Sequence, residues 1–136
     1  MFCFETALTF ELIVTLFFWA VLFPDMTESD KSDPFEFIDH IAPIVILIIE
    51  YSFNRIPFNM KHCPVSVGIL VFYGIFNMAW TFTTGIPVYD PLNFKDLMSY
   101  VWIVLLLGLE VLGYFTLTHL SRWKNSKNLV EPSKFE

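Results

Sequence analysis

The sequence predicts an all-α integral membrane protein, a bundle of four transmembrane helices with both termini on the same side. Three observations predict this fold. Of the 136 residues, 55% are hydrophobic and only 16% are charged, whereas soluble domains carry about 25% charged residues. The mean hydropathy is +0.57. The apolar residues also fall into four long runs, each near the length of about 20 residues that a helix needs to cross a bilayer.

Loop-forming segments rich in Pro, Asp and Asn separate the four runs. The first run has no Lys or Arg before it and no A-x-A-like cleavage site after it. We therefore predict a retained helix rather than a signal peptide. The predicted transmembrane domain covers residues 1–124, with helices at about 4–23, 35–53, 65–82 and 97–120, and a polar C-terminal tail covers residues 125–136.

The distribution of Lys and Arg predicts the orientation of the bundle, because basic residues in short loops resist translocation and acidic ones count little. Four crossings place six of the eight basic residues on the side of the termini and two on the opposite side. The six are Arg55, Lys61, Arg122, Lys124, Lys127 and Lys134, and the two are Lys31 and Lys95. We therefore expect both termini to face the cytoplasm, or the matrix of a mitochondrion. A mitochondrial inner membrane and an endomembrane both fit.

Charge and cysteine content narrow the expected partners. The net charge of −6 argues against nucleic acid as a partner. Cys3 and Cys63 form no CxxC or other metal-type spacing, so the sequence predicts no disulfide framework, no metal site and no cofactor. The expected partners are membrane lipids and other membrane protein subunits.

Four polar residues are singled out within the predicted helices, because a polar side chain inside the membrane is energetically costly. Glu11, Glu50 and Glu110 all fall in the half of the bilayer nearer the termini, and Asn77 lies in the third helix. The three carboxyl groups could form a proton or cation pathway. They could equally make hydrogen bonds to neighbouring helices and have no transport role.

His40 is the main candidate for chemistry. It opens the second predicted helix, with Asp39 beside it and Glu36 one turn earlier. An imidazole held by a carboxylate at a membrane entrance can act as a general base on an ester or amide substrate in the lipid. Alternatively, His40 and Asp39 mark the interface and cap the helix. Glu36 and His40 supply only two ligands, which do not hold a zinc ion.

The order of several landmarks resembles a known group of membrane proteins. His40 opens an apolar helix that ends at Glu50, and Asn54-Arg55-Ile56-Pro57 follows it. The next helix carries Tyr73 and Trp80, and Thr84-Gly85-Ile86-Pro87-Val88-Tyr89-Asp90-Pro91-Leu92 precedes the last one. From about Phe10 to Trp123, the chain resembles the final four spans of the androgen-induced and Rolling-stone type of multi-span membrane protein.

This resemblance implies a possible activity. Androgen-induced members of the family are intramembrane threonine hydrolases that act on fatty-acid esters of hydroxy fatty acids with a Thr nucleophile and a His. The family His falls on His40. Thr9, in Leu8-Thr9-Phe10, has surroundings like those of the nucleophile. Under this hypothesis His40, Asp39 and Thr9 form the catalytic site.

Three functions therefore follow as hypotheses. The first is a non-catalytic membrane subunit that packs its helices into a larger membrane protein complex. The alternative is a hydrolase of lipid esters that uses His40 with a Thr nucleophile. A further alternative is a proton or cation pathway through Glu11, Glu50 and Glu110.

Overall fold

The computed structural model of the chain describes residues 1–54 and 56–127, apart from the side chain of Lys127. These residues form helices and connecting segments without a strand. The helices are α1 (Phe2–Asp25, with a π-helical turn at Phe18–Leu22), α2 (Glu28–Lys31), α3 (Pro34–Phe53), α4 (Cys63–Thr84) and α5 (Leu97–Lys127). Short 3₁₀ turns occur at Met60–His62 and Asp90–Leu92.

Capping groups explain where these helices begin and end. Asp33 accepts a hydrogen bond from the backbone N–H of Phe35, and Pro34 occupies the first turn of α3. Gly85 ends α4 in the left-handed conformation, with φ of 75°, which glycine adopts without steric cost. At the C-terminal end of α3, the ammonium group of Lys124 donates to the carbonyl oxygens of Tyr51 and Asn54.

Three helices are long and apolar enough to cross a membrane: Phe2–Asp25, Met60–Thr84 and Leu97–Ser126. The predicted all-helical class is thus confirmed for the described residues, with three helices whose length and composition suit a membrane. α3 has 20 residues, about 30 Å at the helical rise, but any stretch of 18 residues within it contains the three carboxylates Glu36, Asp39 and Glu50, whereas each of the other three long helices has such a stretch with at most two charged residues. The fourth crossing stays a prediction.

The bundle exposes an apolar surface and buries polar residues together with an apolar core that includes Leu8, Ile44 and Phe58. In the most apolar part of the three spanning helices, only 28%, 17% and 22% of the residues are buried. The outward residues include many large apolar side chains, such as Phe72 and Leu112. The buried polar residues are Glu5, Thr6, Thr9, Ser66, Asn77, Thr81, Ser99, Glu110, Thr118 and Ser121. Such an arrangement suits a lipid solvent, because lipid is as apolar as the side chains it surrounds.

The helices alternate in direction through the bundle. α1 packs against α3 and α5, and α4 packs against α5. Glu5 contacts His62, close to the start of α4, while Ser121 accepts a hydrogen bond from the backbone N–H of Phe58. The start of α1 and the last turns of α5 therefore lie at the same end of the bundle. We call it the terminal end, and the other the distal end.

The helix boundaries differ from the expected ones mainly in α5. This helix continues to Lys127, beyond the expected end near residue 120, so the first three residues of the predicted polar tail are helical. α1 and α4 also begin two residues earlier than expected, at Phe2 and Cys63. Residues 128–136 of the tail, with Lys134, and Arg55 lie outside the described residues.

Candidate functional site

Glu110 lies at the centre of a buried polar cluster between three helices. Its side chain is fully buried. Its Oε1 accepts hydrogen bonds from the hydroxyl of Thr9 on α1, at 3.0 Å, and from the hydroxyl of Ser66 on α4, at 2.5 Å. Because one carboxyl oxygen joins α1, α4 and α5, the cluster fixes how these three helices meet.

Glu5 extends this cluster to the terminal end of the bundle. Its Oε2 lies 2.9 Å from Nδ1 of His62 and accepts a hydrogen bond of 3.4 Å from the backbone N–H of Asn59. Between the two carboxyl groups, the hydroxyls of Thr6 and Tyr114 lie 3.2 Å apart. We call these seven residues the polar core: Glu5, Thr6, Thr9, His62, Ser66, Glu110 and Tyr114.

The polar core leaves two carboxyl oxygens without a donor. Oε1 of Glu5 and Oε2 of Glu110 are buried and accept no hydrogen bond from the described residues. Each of the two residues therefore uses only one oxygen to bind neighbouring groups.

The three glutamates predicted for an ion pathway lie in different surroundings. Glu110 is enclosed in the polar core. Glu50 is exposed on α3 and accepts a hydrogen bond of 3.5 Å from Asn54. Glu11 is half-buried and makes no hydrogen bond or ion pair with the described residues. The structure joins neither of them to Glu110 by a hydrogen bond.

His40 lies at the distal end of α3. Its ring stacks on Phe18 of α1, with centroids 3.5 Å apart and planes inclined by 16°. Nε2 lies 4.0 Å from a carboxylate oxygen of Glu36, and the hydroxyl of Thr15 donates to the His40 carbonyl at 3.2 Å. Asp39, the other expected partner, is exposed on α3.

The structure does not bring Thr9 to His40. The Thr9 hydroxyl donates to Glu110 and to the carbonyl oxygens of Glu5 and Thr6. The residue of α1 that contacts the His40 backbone is Thr15, six positions later, or about 9 Å along the helix axis. General-base activation needs about 2.6 to 3.2 Å between nucleophile and base. The imidazole would need another nucleophile or another arrangement of the helices.

An apolar cavity of about 300 Å³ lies between α1, α4 and α5 next to His40. Its walls are aliphatic and aromatic, and its polar lining residues are His40, Asn77, Tyr73 and Tyr89. No Ser, Thr or Cys of the described chain lines it. Asn77 is 3% exposed and, within the described residues, its side-chain amide makes no hydrogen bond.

A second depression of about 830 Å³ adjoins this cavity at the distal end, and we call it the mouth. Cavity and mouth share Phe18, Leu22, His40 and Tyr89. Five carboxylates line the mouth, and no Lys or Arg of the described residues does. They are Asp25, Asp30, Glu36, Asp90 and Asp96.

Local contacts affect the ionisation of two groups at the mouth. Hydrogen bonds from the Asn93 side chain and the Ser99 backbone N–H lower the pKa of Asp96 below its usual value. Burial raises the pKa of Tyr89 to about 12, and a 3.3 Å contact with the Tyr73 hydroxyl adds to the shift. At neutral pH, Asp96 is therefore an anion and Tyr89 a neutral phenol.

Sequence reasoning missed most of the polar core, namely Glu5, Thr6, His62, Ser66 and Tyr114. A signal for them was present. Each of the three helical segments carries two polar residues four positions apart, which places them on one helix face. The pairs are Glu5 and Thr9, His62 and Ser66, and Glu110 and Tyr114.

Fold and site together define an all-helical membrane protein with a buried polar core and an apolar cavity below an acidic mouth. Within the described part of the chain, no group of three or more His, Cys, Asp or Glu residues could hold a metal ion. Comparisons with protein-family models, curated proteins and solved structures found no match for this chain. The resemblance to the androgen-induced and Rolling-stone type therefore stays a hypothesis.

Proposed function

We propose that this chain is a non-catalytic integral membrane subunit, which crosses the membrane four times and packs its outer helix faces against other membrane protein subunits. In this proposal α3 is the fourth crossing, and both termini face the cytoplasm or the matrix. Membrane lipids cover the faces that no subunit contacts.

Glu11 is the observation that carries the proposal. It lies nine residues after the start of α1, about 13 Å along a spanning helix. Ionisable side chains at such depth are costly and almost always find a partner. Glu11 is half-buried and has no hydrogen bond or ion pair within the described residues. A donor on a neighbouring subunit would supply the missing partner.

The surroundings of His40 support a non-catalytic role. Its imidazole stacks on Phe18 and lines both the cavity, where the described residues place no aliphatic hydroxyl or thiol, and the mouth, where the Thr27 hydroxyl donates to Asp30 at 2.7 Å. The expected nucleophile, Thr9, donates instead to Glu110. In this proposal His40 packs α3 against α1, and the polar core holds the bundle together.

Extraction of the native membrane in a copolymer that preserves lipid and protein neighbours tests the proposal. We expect a complex much larger than the 15.9 kDa chain. Glu11→Leu should release the chain from this complex, because it removes the group that binds the neighbour. Leu16→Ala changes an exposed residue of the same helix and should leave the complex intact.

Three results would overturn the proposal. The first is a wild-type chain that leaves the membrane as a monomer, and the second is a Glu11→Leu variant that stays fully assembled. The third is labelling of the purified protein by a fluorophosphonate probe that His40→Ala abolishes, since this would establish a nucleophile activated by the imidazole.

A further inference from the structure

The cavity between α1, α4 and α5 has the properties of a ligand site rather than of a packing defect. Its volume of about 300 Å³ is at the lower end of the range for small-molecule sites, about 300 to 1,000 Å³. Aliphatic side chains such as Ile13, Leu70 and Leu106 form its walls. Walls of this kind accommodate an alkyl chain.

Asn77 indicates that the occupant also carries a polar group. This residue is 3% exposed and lines the cavity. Its amide makes no hydrogen bond with the described residues, and an amide removed from water without a partner is costly. An ester carbonyl within the alkyl chain would accept a hydrogen bond from the Asn77 amide.

The mouth indicates the charge of the head group. Its five lining carboxylates face no Lys or Arg among the described lining residues. Lys31, which follows Asp30 in α2, pairs instead with Glu28, at 3.3 Å. Among the described residues that line the mouth, His40 is the only one with a basic side chain. Such a surface attracts cations and repels anionic head groups.

Aromatic side chains lie where the mouth meets the cavity. The Phe17 ring lies edge-on to Tyr89 and Trp102, with centroids 6.5 and 5.8 Å away. Tyr89 and Trp102 both line the mouth. Aromatic faces combined with negative charge are what proteins use to bind quaternary ammonium groups.

We propose that the cavity and the mouth together bind a single-chain organic cation, an acyl ester with a quaternary ammonium head. The alkyl chain occupies the cavity, the ester carbonyl accepts a hydrogen bond from Asn77, and the ammonium group lies among Tyr89, Trp102 and the carboxylates. Binding involves no covalent step. The site is distinct from the outer face of α1 through which Glu11 would bind a subunit.

Three soluble probes with twelve-carbon chains test this site: lauroylcholine, dodecyltrimethylammonium and laurate. Each is titrated into the intact protein in nanodiscs of zwitterionic lipid, and binding to empty nanodiscs is subtracted. Lauroylcholine should bind most tightly. Dodecyltrimethylammonium should bind several-fold more weakly, because it has no carbonyl for Asn77, and laurate should bind at least about tenfold more weakly because of its charge.

Variants identify the binding residues. Asp25 and Asp90 are exposed at the mouth, so Asp25→Asn with Asp90→Asn should leave the fold unchanged and weaken both cationic probes about tenfold. Asp39→Asn alters an exposed carboxylate at the same end of the bundle that does not line the mouth, and it should have no effect. Asn77→Leu should reduce lauroylcholine binding to the level of dodecyltrimethylammonium.

The proposal is wrong if laurate binds as tightly as lauroylcholine, if the double Asn variant binds unchanged, or if no probe binds beyond the empty nanodiscs. The unliganded melting temperature of Asn77→Leu is compared with that of the wild type. If this variant does not fold, the comparison of lauroylcholine with dodecyltrimethylammonium on the wild type decides the role of the carbonyl: equal affinities would refute it.

Discussion

The hydroxyl of Thr9 donates to the carboxyl group of Glu110 at 3.0 Å, across 101 positions of sequence. This contact ties the first helix to the last, about a third of the way along α1 and near the middle of α5. It also occupies the hydroxyl that the sequence had suggested as a nucleophile. The sequence suggested a catalytic role for Thr9 and an ion-pathway role for Glu110, whereas in the structure both residues contribute to the packing between helices.

Glu110→Leu should destabilise the bundle strongly. The substitution removes the acceptor for the Ser66 hydroxyl and for Thr9, and a buried hydroxyl without a partner costs about 1–3 kcal/mol. Thr9 retains the carbonyl oxygens of its own helix, so most of the loss comes from Ser66. Unfolding in mixed micelles with increasing dodecyl sulfate measures the change.

Two control variants separate the hydrogen bonds from the charge. Glu110→Gln keeps an oxygen that accepts from Ser66 and Thr9, and it should cost much less than Glu110→Leu. Glu50→Leu changes an exposed carboxyl group and should alter stability little. Equal losses for Leu and Gln at position 110 would contradict the role of the hydrogen bonds.

The contact between Glu5 and His62 should be energetically coupled. The two side chains lie 2.9 Å apart, and Glu5 is fully buried. Polar pairs between membrane helices contribute about 0.6 kcal/mol on average and about 1.7 kcal/mol at most. We expect a value in the upper part of this range from a double-mutant cycle of Glu5→Gln and His62→Ala.

Glu36 and His40 provide a matched control pair for this cycle. Their closest atoms are 4.0 Å apart, and both side chains are partly exposed. A cycle of Glu36→Gln and His40→Ala should therefore give a coupling below about 0.5 kcal/mol. A larger coupling here than between Glu5 and His62 would show that burial does not set the strength of these pairs.

Hydropathy alone predicted the helices well, because the cost of exposing backbone to lipid dictates both their length and their apolar character. It predicted the site less well. Glu110 is conspicuous in an apolar run, whereas its partners, Ser66 and Thr9, are small residues that many lipid-facing helices carry. Which helix faces which depends on side-chain packing between distant segments. The spacing within one helix therefore revealed a polar face but not its partner.

The α3 helix shows a second limit of the sequence. Its hydropathy predicted a crossing like the others, yet the spacing of Glu36, Asp39 and Glu50 leaves no stretch of spanning length with fewer than three carboxylates. Burial does not distinguish an α3 that spans the membrane from one that does not, since most of its large apolar side chains face outward, as they do in α4. The stacking of His40 on Phe18 could likewise not be predicted from residue spacing within one helix, because it joins two helices at their distal ends.

The Asp96 cap should make the start of α5 sensitive to acid. Asp96 accepts a hydrogen bond of 3.1 Å from the backbone N–H of Ser99, and its pKa in the folded protein lies below the ordinary value of 3.8. A lowered pKa means that the carboxylate stabilises the fold above pH 3.8 and that this contribution is lost as the pH falls through the folded pKa. Amide exchange at residues 97–100 should accelerate in that range.

Asp96→Asn provides the control for this pH dependence. The amide cannot ionise, so exchange at the start of α5 should be faster than in the wild type at neutral pH and should show no acid transition beyond the intrinsic dependence of exchange on pH. Asp33→Asn, at the start of α3, should leave the exchange of α5 unchanged. A wild-type acid transition that persists in Asp96→Asn would assign it to another group.

The number of crossings determines whether the two ends of the chain face the same compartment. If α3 spans the membrane, Cys3 and a cysteine in place of Ser126 react with a membrane-impermeant maleimide from the same side of sealed vesicles, and a cysteine in place of Ser29 or Lys95 reacts from the opposite side. If only α1, α4 and α5 span, Ser126→Cys reacts from the side opposite to Cys3, and Lys95→Cys from the same side as Cys3.

We expect the first pattern, because α3 is long enough to cross and its three carboxylates lie toward its ends, where water or head groups solvate them at little cost. Each introduced cysteine is compared with the wild-type chain, in which Cys3 is exposed and Cys63 buried, so that reaction at the new position is measured against a known background.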